Sequence, residues 1–289
     1  MFKDLSLLPP GEKIEKIVSF QANGNKNHFK AHFPLRDPNK KTAYVIGTGP
    51  SLKDIDMSKL KDKDTITFNR AYVAFEDWGF HPTYYLSIDS QDLLSISEDI
   101  VGLMSEGKIK QYFLPLDLVP DGADRQRTTF LKDGAEAWSI ALPMSLYVYL
   151  EDFSTMITAM KPNAGYMGLK MLYLMGYQEV ALLGCDARYR VDKESQKNIT
   201  WDEDGCVSHA DYDANHFRDD YFGKGQRFGK PVDDEETWRV WASAAHEVDA
   251  LHDDFNVYSC SKGSKINNLF PYIDFEDFVS GKRPEKKPA

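Results

Sequence analysis

Between Lys41 and Leu114, short apolar runs alternate with stretches of helical spacing. The runs are Ala43–Ile46, Thr65–Phe68, Tyr84–Ile88 and Gln111–Leu114, and helices are expected to open at Pro50, at Ala71 and from Gln91 to about Ser105. Apolar runs of this kind, joined by helical connections, predict parallel strands covered on both faces. Further along, Lys161-Pro162-Asn163-Ala164-Gly165 opens a helix with a glycine stop at Gly176, and Glu179–Leu183 follows as a buried strand. A helix over Glu235–Leu251 carries Trp238, Trp241, Ala245 and Val248 on one face, before a last strand at Phe255–Tyr258. The expected fold is α/β: a Rossmann-like, mostly parallel sheet with helices on both faces.

Other stretches break the alternation. Residues 1–40 are polar, punctuated by Pro9-Pro10, Gly11 and Pro38, and read as an N-terminal extension on the main domain with a short helix around Glu12 to Phe20. Residues 115–160 are less regular, and their basic cluster Arg125-Gln126-Arg127 reads as a solvated face. From Val191 to about Asp234 the chain turns polar, acidic and aromatic without clear periodicity, the mark of a functional lid or insertion bounded at about 187–234. The main domain then spans 41–275, and 276–289 is a tail whose charged end, Pro284 to Ala289, is expected to fray.

The chain is organised around Gly47-Thr48-Gly49-Pro50-Ser51-Leu52, where an apolar run meets a glycine pair and opens into helical spacing. Such a turn can present backbone N–H groups to a phosphate, and Pro50 suits a first helical position. It can equally be a strand-to-helix turn with no ligand. Leu52 stands where a dinucleotide fingerprint has its third glycine, and the second strand ends in Asn69-Arg70, with no carboxylate for a ribose hydroxyl. Arg70 would suit a 2′-phosphate, whereas a mononucleotide or nucleotide-sugar phosphate fits the turn more generally. Successive strands deliver Gly47-Thr48, Asn69-Arg70 and Asp89-Ser90 to the carboxyl edge of the sheet, where open parallel sheets bind ligands. Taken alone, Asn69 is equally a helix N-cap. The small residues at Ala164 and Gly165 permit close backbone approach, either to a ligand or to another element.

Composition narrows the classes. Across 289 residues, 42% hydrophobic and 28% charged, a sizeable core is available, and a net charge of −10 argues against nucleic acid as the main partner. The start resembles no secretory leader, and the most apolar window, Ala141 to Leu150, is shorter than the roughly 20 residues that cross a bilayer, so a cytoplasmic protein is expected. Cys185, Cys206 and Cys260 form no C-x-x-C pair and suggest neither disulfides nor zinc. Asp202-Glu203-Asp204-Gly205 lacks calcium-loop spacing, and His209 and His216 make no zinc pair, so no dedicated metal site is expected.

Within the lid, His216 has Asp213, Asp219 and Asp220 close by in sequence and is suited to take a proton from an acceptor hydroxyl, or to hold the loop together structurally. Tyr189 and Tyr221 could donate hydrogen bonds to a departing phosphate, or pack as surface aromatics.

Taken together, Gly47–Leu52, Phe68-Asn69-Arg70, Gly165-Tyr166-Met167 with Gly176-Tyr177-Gln178-Glu179-Val180, and Gly184-Cys185-Asp186-Ala187-Arg188-Tyr189 resemble the bacterial sialyltransferases that use CMP-sialic acid. They also resemble the related motility accessory factor and MptE-like (DUF115) proteins. The resemblance covers roughly residues 41 to 275 and lies in the order of short motifs. It implies a GT-A-like variant of the Rossmann-type fold, metal-independent and with no required cofactor, that moves a sugar from a CMP donor with inversion.

By position, the resemblance puts Gly47, Thr48, Gly49, Pro50 and Ser51 around the cytidine nucleotide, with Asn69 touching it and Asp186 bordering it. Asn163, Ala164 and Gly165 would lie near the donor phosphate, Lys161 would match an upstream basic residue, and Tyr189 would assist the leaving phosphate. The family's base histidine sits in a Gly-His-Ser step, where this chain reads Gly229-Lys230-Pro231, leaving His216 as the base candidate. The expected partners are a nucleotide-activated sugar, most plausibly a CMP-linked nonulosonic acid, and a glycan or protein acceptor in surface glycan synthesis. Peripheral membrane contact and self-association are both compatible with the sequence. Two rival readings follow: a magnesium-dependent diphosphokinase acting on a pterin alcohol, as in the MptE-like branch, and a non-catalytic nucleotide-binding module.

Overall fold

The computed structural model describes residues 13–22, 25–34, 39–88, 95–114, 128–130, 147–150, 163–189, 198–202, 205–228, 234–250 and 255–284. Among them, a pair of antiparallel strands, β1 (Lys13–Ala22) and β2 (Asn25–Pro34), comes first. Then follow β3 (Thr42–Ile46), β4 (Asp64–Phe68), β5 (Tyr84–Leu86), β6 (Gln111–Leu114) and β7 (Thr128–Phe130). Strand β8 (Tyr147–Leu150) pairs with β1, and β9 (Glu179–Leu183) returns to the main sheet. Strands β10 (Ile199–Asp202), β11 (Gly205–Ser208) and β12 (Arg227–Phe228) form a small antiparallel sheet, and β13 (Asn256–Ser259) is last.

Seven strands form the main sheet in the order β13-β9-β3-β4-β5-β6-β7, every pair parallel. The chain starts at β3, steps outward to β7, then crosses back to lay β9 on the other side of β3. The switch in direction therefore falls between β3 and β9, the position at whose carboxyl edge open parallel sheets bind ligands.

Strand residues alternate between two cores, as period-2 side chains require. Val45, Ile66, Leu182 and Val257 face a core shared with α3 (Ala164–Leu174) and α4 (Asp234–Ala250). Tyr44, Ile46, Leu183 and Tyr258 face the opposite core, with α2 (Ser97–Glu106) and α5 (Phe275–Val279). Both faces are covered, which is why the strands read as unbroken apolar runs.

Several expectations need correction. The stretch after Pro50 is no α-helix but two 3₁₀ segments, Pro50–Asp54 and Met57–Leu60, because Asp56 caps a fresh turn by accepting the Ser58 N–H. The stretch at Ala71 is a 3₁₀ segment, Asn69–Ala74, running into the short α1, Phe75–Trp78. Residues 13–22 are a strand rather than a helix. Ile14, Ile17 and Val18 are β-branched, and ten residues pair in register with β2. The lid region holds the three-stranded sheet β10-β11-β12. The boundary at 275 falls within α5, whose Phe278 is buried in the second core.

Candidate functional site

The two glycines at the end of β3 serve a close approach between chain segments. Gly47 N–H donates to Leu183 O at 2.7 Å and Gly49 N–H to Gly184 O at 2.8 Å. A Cβ on Gly47 would lie 2.7 Å from the Gly184 carbonyl carbon and 2.9 Å from Cys185 Sγ, so no larger residue fits. Ser51 N–H donates to Asp186 Oδ2 at 3.0 Å, and Leu52 N–H to Gly49 O at 3.1 Å. Pro50 has no N–H. The turn's donors are thus largely spent on the β9 side of the switch point, which corrects the expectation that they cradle a phosphate.

What opens beside the turn is a cavity of about 280 Å³ whose lining includes Ser51, Asp54, Asp186, Arg188, Lys262 and Lys265. Ser51 Oγ is buried and has no hydrogen-bond partner among the described residues, the kind of orphan that a ligand can satisfy. Two non-glycine residues at strand ends adopt left-handed backbone, Asn69 with φ 50° and Ala187 with φ 50°, conformations that persist where the surroundings impose them. Asn69 does not cap a helix: Phe68 holds the N-cap position, and the Asn69 Oδ1 accepts the Ser87 hydroxyl at 3.2 Å.

The stretch between β11 and β12 docks on this rim. Phe217 N–H donates to Thr48 O at 2.9 Å, Arg70 Nε donates to Tyr221 O at 2.8 Å, and the Tyr221 hydroxyl accepts the Arg70 N–H at 3.2 Å. Phe217 packs against Trp78, and Arg218 pairs with Asp77 and Asp220. Asp213, His216, Tyr189 and Tyr221 come together here. His216 Nδ1 lies 2.7 Å from Asp213 Oδ2. The carboxylate can only accept, so Nδ1 donates, and in the neutral ring Nε2 then carries the lone pair. The imidazole stacks on buried Tyr221 at 4.0 Å between centroids and 11° between planes, and Tyr189 stands edge-on at 6.3 Å. A second, smaller cavity of about 40 Å³ is lined by Tyr189, Asp213 and Phe222, and it shares Ala214 and Asn215 with the larger one.

Tyr189 is fixed through its backbone. Its N–H donates to Asp234 Oδ1 at 2.9 Å, and Asp234 Oδ2 accepts from Lys265 Nζ at 3.0 Å. Burial works against the Asp234 charge, but the Lys265 ammonium and the Tyr189 N–H outweigh it and hold the carboxyl below its usual range.

The remaining candidates separate. Asn163 caps α3, accepting the Tyr166 N–H at 2.8 Å, and Gly165 is small because Trp241 packs on it, where a Cβ would meet the indole at 2.6 Å. The packing alternative accounts for Gly165, and neither it nor Ala164 lines the larger cavity. Asp89, Lys161 and Gly229-Lys230-Pro231 lie outside the described residues. Arg188 stands inside the Gly184–Tyr189 motif but had no role assigned from sequence, and Lys262 and Lys265 lie in no motif. All three cysteines are free and buried. Among the described residues no cluster of three or more His, Cys, Asp or Glu could hold a metal ion, and no helix is long and apolar enough to cross a membrane.

No family model and no curated protein sequence matches the chain. Solved structures do resemble it. The α-2,3-sialyltransferase Cst-I from Campylobacter jejuni is similar at 15% identity and a TM-score of 0.46, over 82% of each chain. The MAf glycosyltransferase from Magnetospirillum magneticum AMB-1 is similar at 14% identity and a TM-score of 0.45, over 97% of this chain and 38% of that one. The sialyltransferase CstII from Campylobacter jejuni, solved with CMP-3FNeuAc, is similar at 14% identity and a TM-score of 0.44, over 80% of this chain and 84% of that one. They belong to the groups that the sequence motifs resemble.

Proposed function

We propose that the chain is a glycosyltransferase that moves a sugar from a nucleotide donor to an acceptor hydroxyl, with a CMP-linked nonulosonic acid as the donor of choice in making a surface glycan. The observation that carries this reading is the Asp213–His216 pair, set between Tyr189 and Tyr221 on a loop docked over the switch point, beside a cavity bordered by Ser51 and Asp186.

In this reading the nucleotide occupies the larger cavity. His216 Nε2 takes the proton of the acceptor hydroxyl as its oxygen bonds to the anomeric carbon, and Asp213 stabilises the imidazolium that forms. The bond from anomeric carbon to phosphate oxygen breaks, its electron pair leaves with the nucleotide, and the Tyr189 hydroxyl donates to the growing charge. No cofactor is assigned. Release of free nucleotide from CMP-, UDP- and GDP-linked sugars tests this, each with and without a lactoside acceptor and with and without Mg²⁺. Release of CMP that depends on His216 is the expected result. Absence of release from every donor, together with tight nucleotide binding, would leave a binding module instead.

A further inference from the structure

The glycine turn is a poor grip for an anion in this chain. Its N–H groups at Gly47, Gly49 and Ser51 are engaged by Leu183 O, Gly184 O and Asp186. Two carboxylates, Asp54 and Asp186, line the 280 Å³ cavity and repel a phosphate. The loops after β9 and β13 also bring cations to it. Lys265 is already matched by Asp234 at 3.0 Å. Arg188 and Lys262 line the same cavity and enter no ion pair among the described residues. Arg188 acts on Asp234 only through its charge, and neither cation is held by a hydrogen bond or a close ion pair, so in a chain with 45 acidic and 35 basic residues both are open to an anionic occupant.

That part of the lining is also built in place. Ser264 Oγ donates to Asp186 O at 2.9 Å, which ties the loop after β13 to the loop after β9. Lys265 and the Tyr189 N–H meet on Asp234, so the same two loops are pinned a second time. Gly263, with φ 68°, makes the turn that places Lys262 at the cavity. Arg188 follows the left-handed Ala187.

We propose that Arg188 and Lys262 hold the phosphate of the bound nucleotide, gripping it from the β9 and β13 side of the cavity in place of the glycine turn. The assignment rests on the larger cavity being the nucleotide site. Arg188 offers a planar fork to two phosphate oxygens, and Lys262 offers a point charge that neutralises the remainder. Asp186, in the same lining, is left to accept from sugar or base groups that donate.

Calorimetry with CMP, cytidine and inorganic pyrophosphate on the wild type, Arg188→Ala, Lys262→Ala and the double variant tests the assignment, with melting curves to confirm that each variant is folded. Each single change should weaken CMP roughly tenfold or more, as loss of a charged hydrogen bond does. Cytidine should bind all four proteins alike, and Lys262→Arg should keep most of the CMP affinity. CMP binding to the double variant within about twofold of wild type would overturn the proposal while leaving the nucleotide site intact. Pyrophosphate binding that is lost in the double variant, with no nucleotide bound by the wild type, would keep the anion site and remove the nucleotide reading. Failure of all three probes to bind the wild type would remove both.

Discussion

The Asp186 carboxylate accepts the backbone N–H of Ser51 at 3.0 Å, joining the end of β9 to the end of β3 across the point where the sheet reverses its order of growth. The contact requires that nothing stand between the two loops. A Cβ on Gly49 would overlap Asp186 Oδ2 and lie 2.8 Å from Gly184 O. Gly49→Ala should therefore push the loops apart, lower stability by about 1–3 kcal/mol as overpacking does, and abolish nucleotide binding. Gly102 gives the contrast: it lies inside α2, and a methyl group added there would meet nothing within 4 Å, so Gly102→Ala should raise stability by about 0.5–1 kcal/mol. Urea unfolding of the two variants beside the wild type reads both signs.

A base acting through Nε2 needs Nδ1 to be committed elsewhere, and Asp213 commits it at 2.7 Å. His216→Asn should lower sugar transfer by about 10²–10⁴-fold while changing nucleotide affinity little, because the imidazole is needed for the proton and not for the nucleotide. Asp213→Asn keeps the ring in place but removes the charge that stabilises the imidazolium, so its loss should be smaller and confined to the same step. Single-turnover nucleotide release with a saturating acceptor separates these effects from binding. If His216→Asn turns over like wild type, the pair holds the loop and does not move the proton.

The parallel sheet was legible because Ala43–Ile46 and Val180–Leu183 are apolar on both of their faces, a pattern that only a doubly covered strand requires. The glycine pair correctly signalled a close approach, but its object is the β9 loop, and only the strand order reveals that neighbour. The partnership of Arg188 with Lys262 was illegible for a similar reason: they sit in two loops about seventy residues apart in sequence, and the tie between Ser264 and Asp186 brings those loops together. His216, Tyr189 and Tyr221 could be named from sequence because their residue types carry chemistry, whereas the stacking of His216 on Tyr221 depends on how the loop docks. The stretch around Glu12 to Phe20 reads as a short helix in sequence, and pairing with β2 makes residues 13–22 a strand.

Between α3 and α4 a charged pair is sealed from water, with Lys170 Nζ 3.3 Å from Glu247 Oε2 and the Tyr166 hydroxyl donating to Glu247 Oε1. Burial pushes the Lys170 ammonium down to about 8 and the Glu247 carboxyl up, while the partner's charge opposes each shift. Lys170→Met leaves the carboxylate without its cation and should cost about 3–5 kcal/mol, whereas Lys170→Met with Glu247→Leu should recover most of that loss. The sign of the pH effect follows from proton counts. Between about 8 and the ordinary lysine value of 10.5, the unfolded chain holds a proton that the folded chain has released, so the Lys170 contribution to stability rises with pH across that window. Urea midpoints of the wild type and Lys170→Met, measured at pH 8 and pH 10, should show the rise in the first and a flatter response in the second.

Arg283 closes the far end of the same sheet and should set part of the acid sensitivity of the fold. Its Nε and Nη2 donate to the two Glu179 oxygens at 2.9 and 2.8 Å, its Nη1 donates to Phe278 O at 2.9 Å, and its guanidinium lies 4.0 Å over the Phe278 ring. Glu179 opens β9 and also accepts the Thr42 hydroxyl at the start of β3, at 3.1 Å. The Arg283 hydrogen bonds hold the Glu179 carboxyl below its usual range against the cost of burial. A depressed carboxyl contributes stability that is present above its unfolded value and is lost as pH falls through the folded one. Arg283→Ala should therefore destabilise the protein at pH 7 by about 1.5–3 kcal/mol, as expected for charged hydrogen bonds. The gap to the wild type should shrink as the buffer is taken below the ordinary carboxylate range, because protonated Glu179 no longer distinguishes the two chains. Thermal melts of both proteins from pH 7 down to pH 3 measure that gap, and a constant offset across the series would show that Arg283 acts through its packing on Phe278 alone.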